Sequence, residues 1–258
     1  IEAGYRHLDS ASDYANEEEV GKGIKAAIDQ GLCKREDLWI TSKLWNTYHH
    51  PDHVKPALEK TLQDLQLDYI DLYMIHFPIS LELVLFDQRY HPEWFNEPDN
   101  KEPAMIPSRV PLSDTWHSME MLKKEGLAKH IGICNYSSSL LHDLMNYCET
   151  QPEILQVESH PYLTQEKLIR LAKNYGLEVT AFSPLGSLSY EELGGAEESE
   201  SLLKNESIQS IAKDLDVSPA QLILSWALNR GTSIVVKSSE EAGMKENLDR
   251  STIKLDQS

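Results

Sequence analysis

The sequence predicts an α/β fold of repeated strand–helix units, closed as a (β/α)8 barrel of the TIM type. Three observations predict it. Strand-like apolar runs alternate with helical periodicity seven times along the chain, with no hairpin signal between them. Such alternation implies a parallel sheet with helical crossovers. No G-x-G-x-x-G follows an early strand, as an open dinucleotide-binding sheet should show, so the closed barrel is preferred to the doubly wound alternative. Finally, strand ends carry polar residues just before a turn and a helix start: Asp9, Lys43, His76 and Asn135. That rim is where such barrels place chemistry. The eighth strand is missing, and it is expected before Ile1.

The elements follow in order. Tyr5 to Asp9 reads as a strand. Glu18 to Asp29 is helical, with Val20, Ile24, Ala27 and Ile28 on one face and Gly31 as C-cap. The acids Glu17, Glu18 and Glu19 sit where the helix dipole favours them. Leu38 to Lys43 is a strand whose apolar residues run on without strict alternation, as in a buried parallel sheet. His53 to Leu65 is helical, and Tyr69 to His76 is the third strand. Phe77 to Pro111 lacks clean periodicity; its length marks a lid or a linker, and Tyr90, Trp94, Phe95 and Met105 favour a packed lid. Ser113 to Gly126 is helical, His130 to Cys134 a strand, Ser138 to Cys148 a helix, and Ile154 to Glu158 a strand. Thr164 to Tyr175 is a helix ended by Gly176, and Leu177 to Phe182 a strand. Residues 183–201 are irregular. Ser207 to Leu215 and Ser218 to Asn229 are helices, the second with Pro219 at its first position. Ser233 to Lys237 is the last strand, and a final helix runs toward Leu248.

With 258 residues, 40% hydrophobic, the chain suits one domain over residues 1–258. A formal charge of −18 argues against nucleic acid and anionic membranes as partners. No apolar run reaches the roughly 18 residues that span a bilayer. The start shows no signal-peptide pattern, and the absence of an initiator Met suggests residues missing before Ile1. Cys33, Cys134 and Cys148 are at spacings that form no metal motif, which points to a reduced, cytoplasmic protein. His49, His50 and His53 read as surface-loop and helix-start residues rather than as metal ligands.

In a barrel, Asp9, Lys43, His76, Cys134, Gln156, Phe182 and Lys237 would ring one mouth. A phenol has an ordinary pKa near 10. A nearby ammonium favours the phenolate, and a carboxylate keeps the ammonium charged. An imidazole can orient a carbonyl oxygen. Such a set suits protonating an oxygen that becomes an alkoxide, with hydride from a nicotinamide attacking the carbon.

Six segments carry a resemblance. They are Gly4-Tyr5-Arg6-His7-Leu8-Asp9 through Tyr14-x-Asn16-Glu17, Thr41 to Trp45, Asp71 to Pro78, Gly132 to Tyr136, Gln156 to Tyr162, and Ser183 to Ser187. In this order the chain resembles the aldo-keto reductases. His76 to Ile79 and Val110 to Trp116 are most similar to the aldose and xylose reductase branch. The resemblance implies an NAD(P)H-dependent reductase acting on a small aldehyde, aldose or sugar phosphate. It implies Tyr14 as general acid, Lys43 lowering its pKa, Asp9 paired with Lys43, and His76 orienting the carbonyl. Cys134, Asn135 and Gln156 would lie at the nicotinamide, with Phe182 stacked on its ring. Ser183, Leu185 and Ser187 would line the pyrophosphate. Lys237, Ser238, Glu246 and Asn247 would hold the adenosine end, and Trp45, Phe77 and the lid would shape the substrate pocket.

Cys134 stands where the family usually has Ser, and Phe182 where Tyr is commoner. Glu240 and Gly243 replace residues that favour a 2′-phosphate. The expectation is NADP(H) with weakened preference, NAD(H) also being admitted. A small carbonyl compound is the expected partner, and the chain is expected to be a monomer or weak dimer. The competing reading is a non-catalytic binding or structural protein on the same scaffold.

Overall fold

The structure is a computed structural model describing residues 1–186 and 201–249. It divides into two compact units, residues 1–153 and 154–258.

In the first unit, four strands pair in parallel in chain order: β1 (His7–Asp9), β2 (Trp39–Leu44), β3 (Ile70–Ile75) and β4 (Ala128–Cys134). Helices α1 (Glu17–Asp29), α2 (Pro51–Leu65), α3 (Leu112–Lys124) and α4 (Ser138–Tyr147) alternate with them. The periodic apolar residues form the core: Ile24, Val54, Leu58 and Leu65 have at most 2% of their surface exposed. All six residues of β3 are buried, as in a strand covered on both faces, and Asp71 within it is paired with the Arg35 guanidinium at 2.6 Å. Gln66 ends α2 in the left-handed conformation, and its N–H bonds the Leu62 and Gln63 carbonyls. Gly21 lets α1 pack closely on α2, since a Cβ there would fall 2.7 Å from the Leu65 carbonyl carbon.

In the second unit, β5 (Ile154–Glu158), β6 (Glu178–Phe182) and β7 (Ser233–Ile234) are parallel. With them lie α5 (Glu166–Asn174), α6 (Glu206–Asp214), α7 (Pro219–Asn229) and α8 (Glu241–Asp249). Ser218 and Gln221 form a reciprocal capping box at the start of α7.

The last strand is shorter than Ser233 to Lys237. One further backbone bond, Val235 N–H to the Ala181 carbonyl, extends the pairing, and Lys237 lies beyond it, exposed. The segment 77–111 is packed only in part: Leu81 and Val84 are buried and Leu81 bridges Pro107, while Tyr90 and Trp94 are half-buried and Phe95 and Met105, also expected to pack, are exposed. His49 differs from its reading as a surface residue. It is 1% exposed, because its Nδ1 lies 3.0 Å from Ser80 Oγ and its backbone carbonyl accepts from Thr115 Oγ1.

Candidate active site

Strand register gathers the catalytic candidates of the first unit. Asp9 pairs with Thr41, two residues before Lys43; Lys43 pairs with Met74, two before His76; Met74 pairs with Gly132, two before Cys134. With a side-chain period of two, Asp9, Lys43, His76 and Cys134 therefore share one face of the sheet. Tyr14 is added by the short 3₁₀ turn Ser12–Tyr14, which Ala15 ends in the left-handed conformation.

Lys43 is fully buried, and its Nζ donates three ways: to Asp9 Oδ1 at 2.5 Å, the Ser10 carbonyl at 2.8 Å and Tyr14 Oη at 3.3 Å. Burial is the largest single effect on the ammonium and would lower its pKa. The negative charge of Asp9 and its hydrogen bond lead the effects that outweigh it, so Lys43 ends above its ordinary value. It is a fixed positive charge at neutral pH.

Tyr14 departs from expectation. The residue as a whole is about half exposed, while its hydroxyl reaches inward to the buried Lys43. Burial raises the phenol pKa; Lys43 lowers it through charge and hydrogen bond, but Asp9 and Cys134 raise it again, and the net shift is upward. The ammonium acts in the direction read from the sequence, yet desolvation of the phenolate wins. Tyr14 thus keeps its proton at neutral pH, as a proton donor must.

His76 is 6% exposed, and burial followed by the charge of Lys43 holds its pKa well below the ordinary imidazole value. A neutral imidazole keeps one N–H to donate. Its ring meets Tyr14 edge-on at 5.9 Å between centroids and stacks on Phe77 at 4.8 Å. Trp45, wholly buried, crosses His76 at 5.4 Å and Phe77 at 6.0 Å. Burial raises the Cys134 thiol to about 12, so it is an inert neutral group.

Several neighbours of the site are not evident in the sequence. Trp94 packs against Trp45 at 4.8 Å and Phe77 at 4.9 Å. Trp45 Nε1 donates to the Glu93 carbonyl at 3.1 Å, and His91 Nδ1 donates to the Ser12 carbonyl at 2.6 Å, in the turn that carries Tyr14. Asp13 in that turn is raised to about 6 by burial and by Glu93. The aromatic content of the lid is the one signal that points to them. Glu17, in sequence a first-turn acid, is fully buried against Ser42 and Thr61.

The nicotinamide candidates fall in both units. In the first, Asn135 takes a positive φ of 63° and donates from Nδ2 to the His76 carbonyl at 2.8 Å. In the second, Gln156 is 2% exposed, and Glu158 pairs with Phe182, so Gln156 and Phe182 share a face. Ser183 has a positive φ of 46° directly after Phe182, and Leu185 lies in the turn that follows. Ser238 Oγ donates to the Glu240 carbonyl at 3.1 Å. Glu246 is exposed, its backbone carbonyl accepting from Gln221 Nε2 at 3.2 Å, and Asn247 is half-buried. Ser187 lies outside the described residues.

A parallel α/β framework with Asp9, Lys43 and His76 at strand ends and Tyr14 in the adjoining turn is the arrangement of a barrel protein that carries its polar residues at one rim. The profile of the Aldo/keto reductase family matches residues 1–258, and the chain belongs to that family. It is 46% identical to the NAD(P)H-dependent D-xylose reductase of Kluyveromyces lactis over 251 residues, 96% of this chain and 76% of the relative. It is 43% identical to the NADPH-dependent aldose reductase GRE3 of Saccharomyces cerevisiae over 253 residues, 96% of this chain and 77% of the relative. Among solved structures, the aldose reductase of Schistosoma japonicum matches with a TM-score of 0.87 and 36% identity, covering 99% of this chain and 77% of that one. The fold class is accordingly the (β/α)8 barrel, with seven of its strands among the described residues.

Proposed function

We propose that this chain reduces a small aldehyde, aldose or sugar phosphate to the alcohol, using NADP(H) and also NAD(H). The observation that carries the reading is the threefold grip of Lys43 on Asp9, Ser10 and Tyr14. The names of the relatives, NAD(P)H-dependent xylose and aldose reductases, support it.

Unit by unit, the residues that the family resemblance assigns to the cofactor have the chemistry that parts of a nicotinamide dinucleotide need. Asn135 and Gln156 are amides suited to a carboxamide, and Phe182 offers a ring face for stacking. Ser183, Leu185 and Ser187 suit the pyrophosphate, and Lys237, Ser238, Glu246 and Asn247 the adenosine end. When bound, NAD(P)H supplies a hydride to the carbonyl carbon. The chain's own residues manage the oxygen. His76, held neutral, donates a hydrogen bond that orients it. Tyr14 hands over its proton, and the negative charge left on the phenol develops 3.3 Å from the Lys43 ammonium. Asp9 holds that ammonium in place. Trp45 and Phe77, with Trp94 against both, form an apolar wall beside His76.

The family match over residues 1–258 supports reading the chain as one domain. Cys33, Cys134 and Cys148 form no disulfide with one another, and a cytoplasmic setting is our reading. Among the described residues no helix is long and apolar enough to cross a membrane. A monomer or weak dimer remains our reading of the assembly.

NADPH and NADH absorbance at 340 nm, followed with a panel of aldehydes, aldoses and aldose phosphates, tests the proposal. Consumption with at least one member is expected; none with any member refutes it and favours a non-catalytic protein on this scaffold.

A further inference from the structure

Behind Lys43 lies a buried carboxylate that the reaction does not use. Glu17 opens α1 with none of its surface exposed. Its two oxygens are engaged separately: Oε1 accepts from Ser42 Oγ at 2.5 Å, and Oε2 from Thr61 Oγ1 at 3.0 Å. Both donors are wholly buried. Among the described residues Glu17 makes no direct ion pair. A carboxylate in such a place is costly to keep. Burial, the largest effect, raises its pKa, as does Asp64; the bonds from Ser42 and Thr61 and the Lys43 charge lower it, and the net shift is upward. The other titratable groups that feel it are Tyr73 on β3 and Tyr90 in the lid.

The placement is specific. Ser42 and Lys43 are successive residues of β2, so their side chains leave opposite faces of the strand. Glu17 therefore holds the strand from the helix side, one residue before the lysine that faces Tyr14. Through Thr61 it ties the same point to α2, and Gly21 lets α1 approach α2 closely enough for that reach. On the other face, Lys43 must satisfy Asp9, Ser10 and Tyr14 together, which leaves little tolerance for a shift of β2.

We propose that Glu17, acting through Ser42, is a positioning residue that fixes Lys43 opposite Tyr14. The inference rests on the proposed reductase activity.

The test uses the whole chain with Glu17→Gln, Ser42→Ala and the double variant. Steady-state kinetics with NADPH and the best aldehyde give kcat and KM, and fluorescence quenching gives the Kd for NADPH. Each single variant is expected to lower kcat about tenfold, the order of loss that a sub-ångström misplacement produces. KM and Kd should stay within about twofold of wild type, and the double variant should be no slower than the slower single one. A purely structural Glu17 would lower thermal stability and leave kcat of the folded protein unchanged, and that result overturns the proposal. Losses that multiply in the double variant also overturn it. Should Glu17→Gln not fold, Ser42→Ala decides alone, wild-type kcat counting against the proposal. Wild-type protein inactive with every carbonyl would instead refute the reductase reading, so the two failures are distinguishable.

Discussion

Replacing Lys43 by Met removes the ammonium while keeping most of the side chain's length and apolar bulk. Two effects follow from the geometry. At 3.3 Å from the phenol oxygen, a full charge pair at an effective dielectric of about 20 is worth about 5 kcal/mol. If about half a charge has developed on the phenol in the transition state, the loss is about 2.5 kcal/mol, or a factor of about 70 in kcat. Misorientation of Tyr14 adds to this, so kcat should fall between about 10² and 10⁴, the range general acids contribute. Stability changes as well. Asp9, with 10% of its side chain exposed, loses the partner at 2.5 Å, and breaking a buried pair costs about 3–5 kcal/mol. NADPH absorbance decay under saturating aldehyde measures the first effect and urea unfolding the second. A Lys43→Met protein within threefold of wild-type kcat would refute the role of the ammonium in proton transfer from Tyr14.

Other predictions bear on neighbouring parts of the molecule. His49, held at about 3 by burial, excludes a proton that the unfolded chain binds below 6.5, so its contribution is lost as pH falls from 6.5 toward 3. At pH 5 that loss is about 2 kcal/mol, and His49→Asn should flatten the urea-unfolding profile between pH 7 and 5 by about that amount. Gly21→Ala should destabilise by about 1–3 kcal/mol in urea unfolding, since its Cβ would press on the backbone of α2. Glu240 begins the approach to α8, and its carboxylate is read as disfavouring a 2′-phosphate. Wild type should show NADPH preference well under a thousandfold in kcat/KM, and Glu240→Asn should raise that preference about tenfold, close to one charge contact.

Most elements are legible in the sequence because periodicity reports burial directly. Ile154–Glu158 is readable to the residue, and α7 within one. Strand ends are harder, since pairing and not composition sets them: β7 stops at Ile234, three residues before Lys237. Asp9, Lys43 and His76 are readable because polar residues at successive strand ends fall on one face once the register is parallel, and Tyr14 because it stands in the turn that directly follows the first of them. What the sequence hides are properties of tertiary neighbours. Glu17 and His49 resemble surface residues in any linear window, and only the packing of α1 on β2 and α2, or of residue 49 beneath Ser80 and Thr115, buries them. The upward shift of Tyr14 is hidden for a related reason: charge neighbours can be inferred from motif spacing, but desolvation depends on what surrounds the hydroxyl.

The most direct measurement is a single-turnover reduction of an aldehyde by NADPH at 340 nm, comparing wild type with Tyr14→Phe at equal cofactor occupancy. Transfer of the phenolic proton at the carbonyl oxygen predicts a rate lowered by at least about 10², with NADPH Kd unchanged. A Tyr14→Phe protein that turns over within threefold of wild type would contradict it.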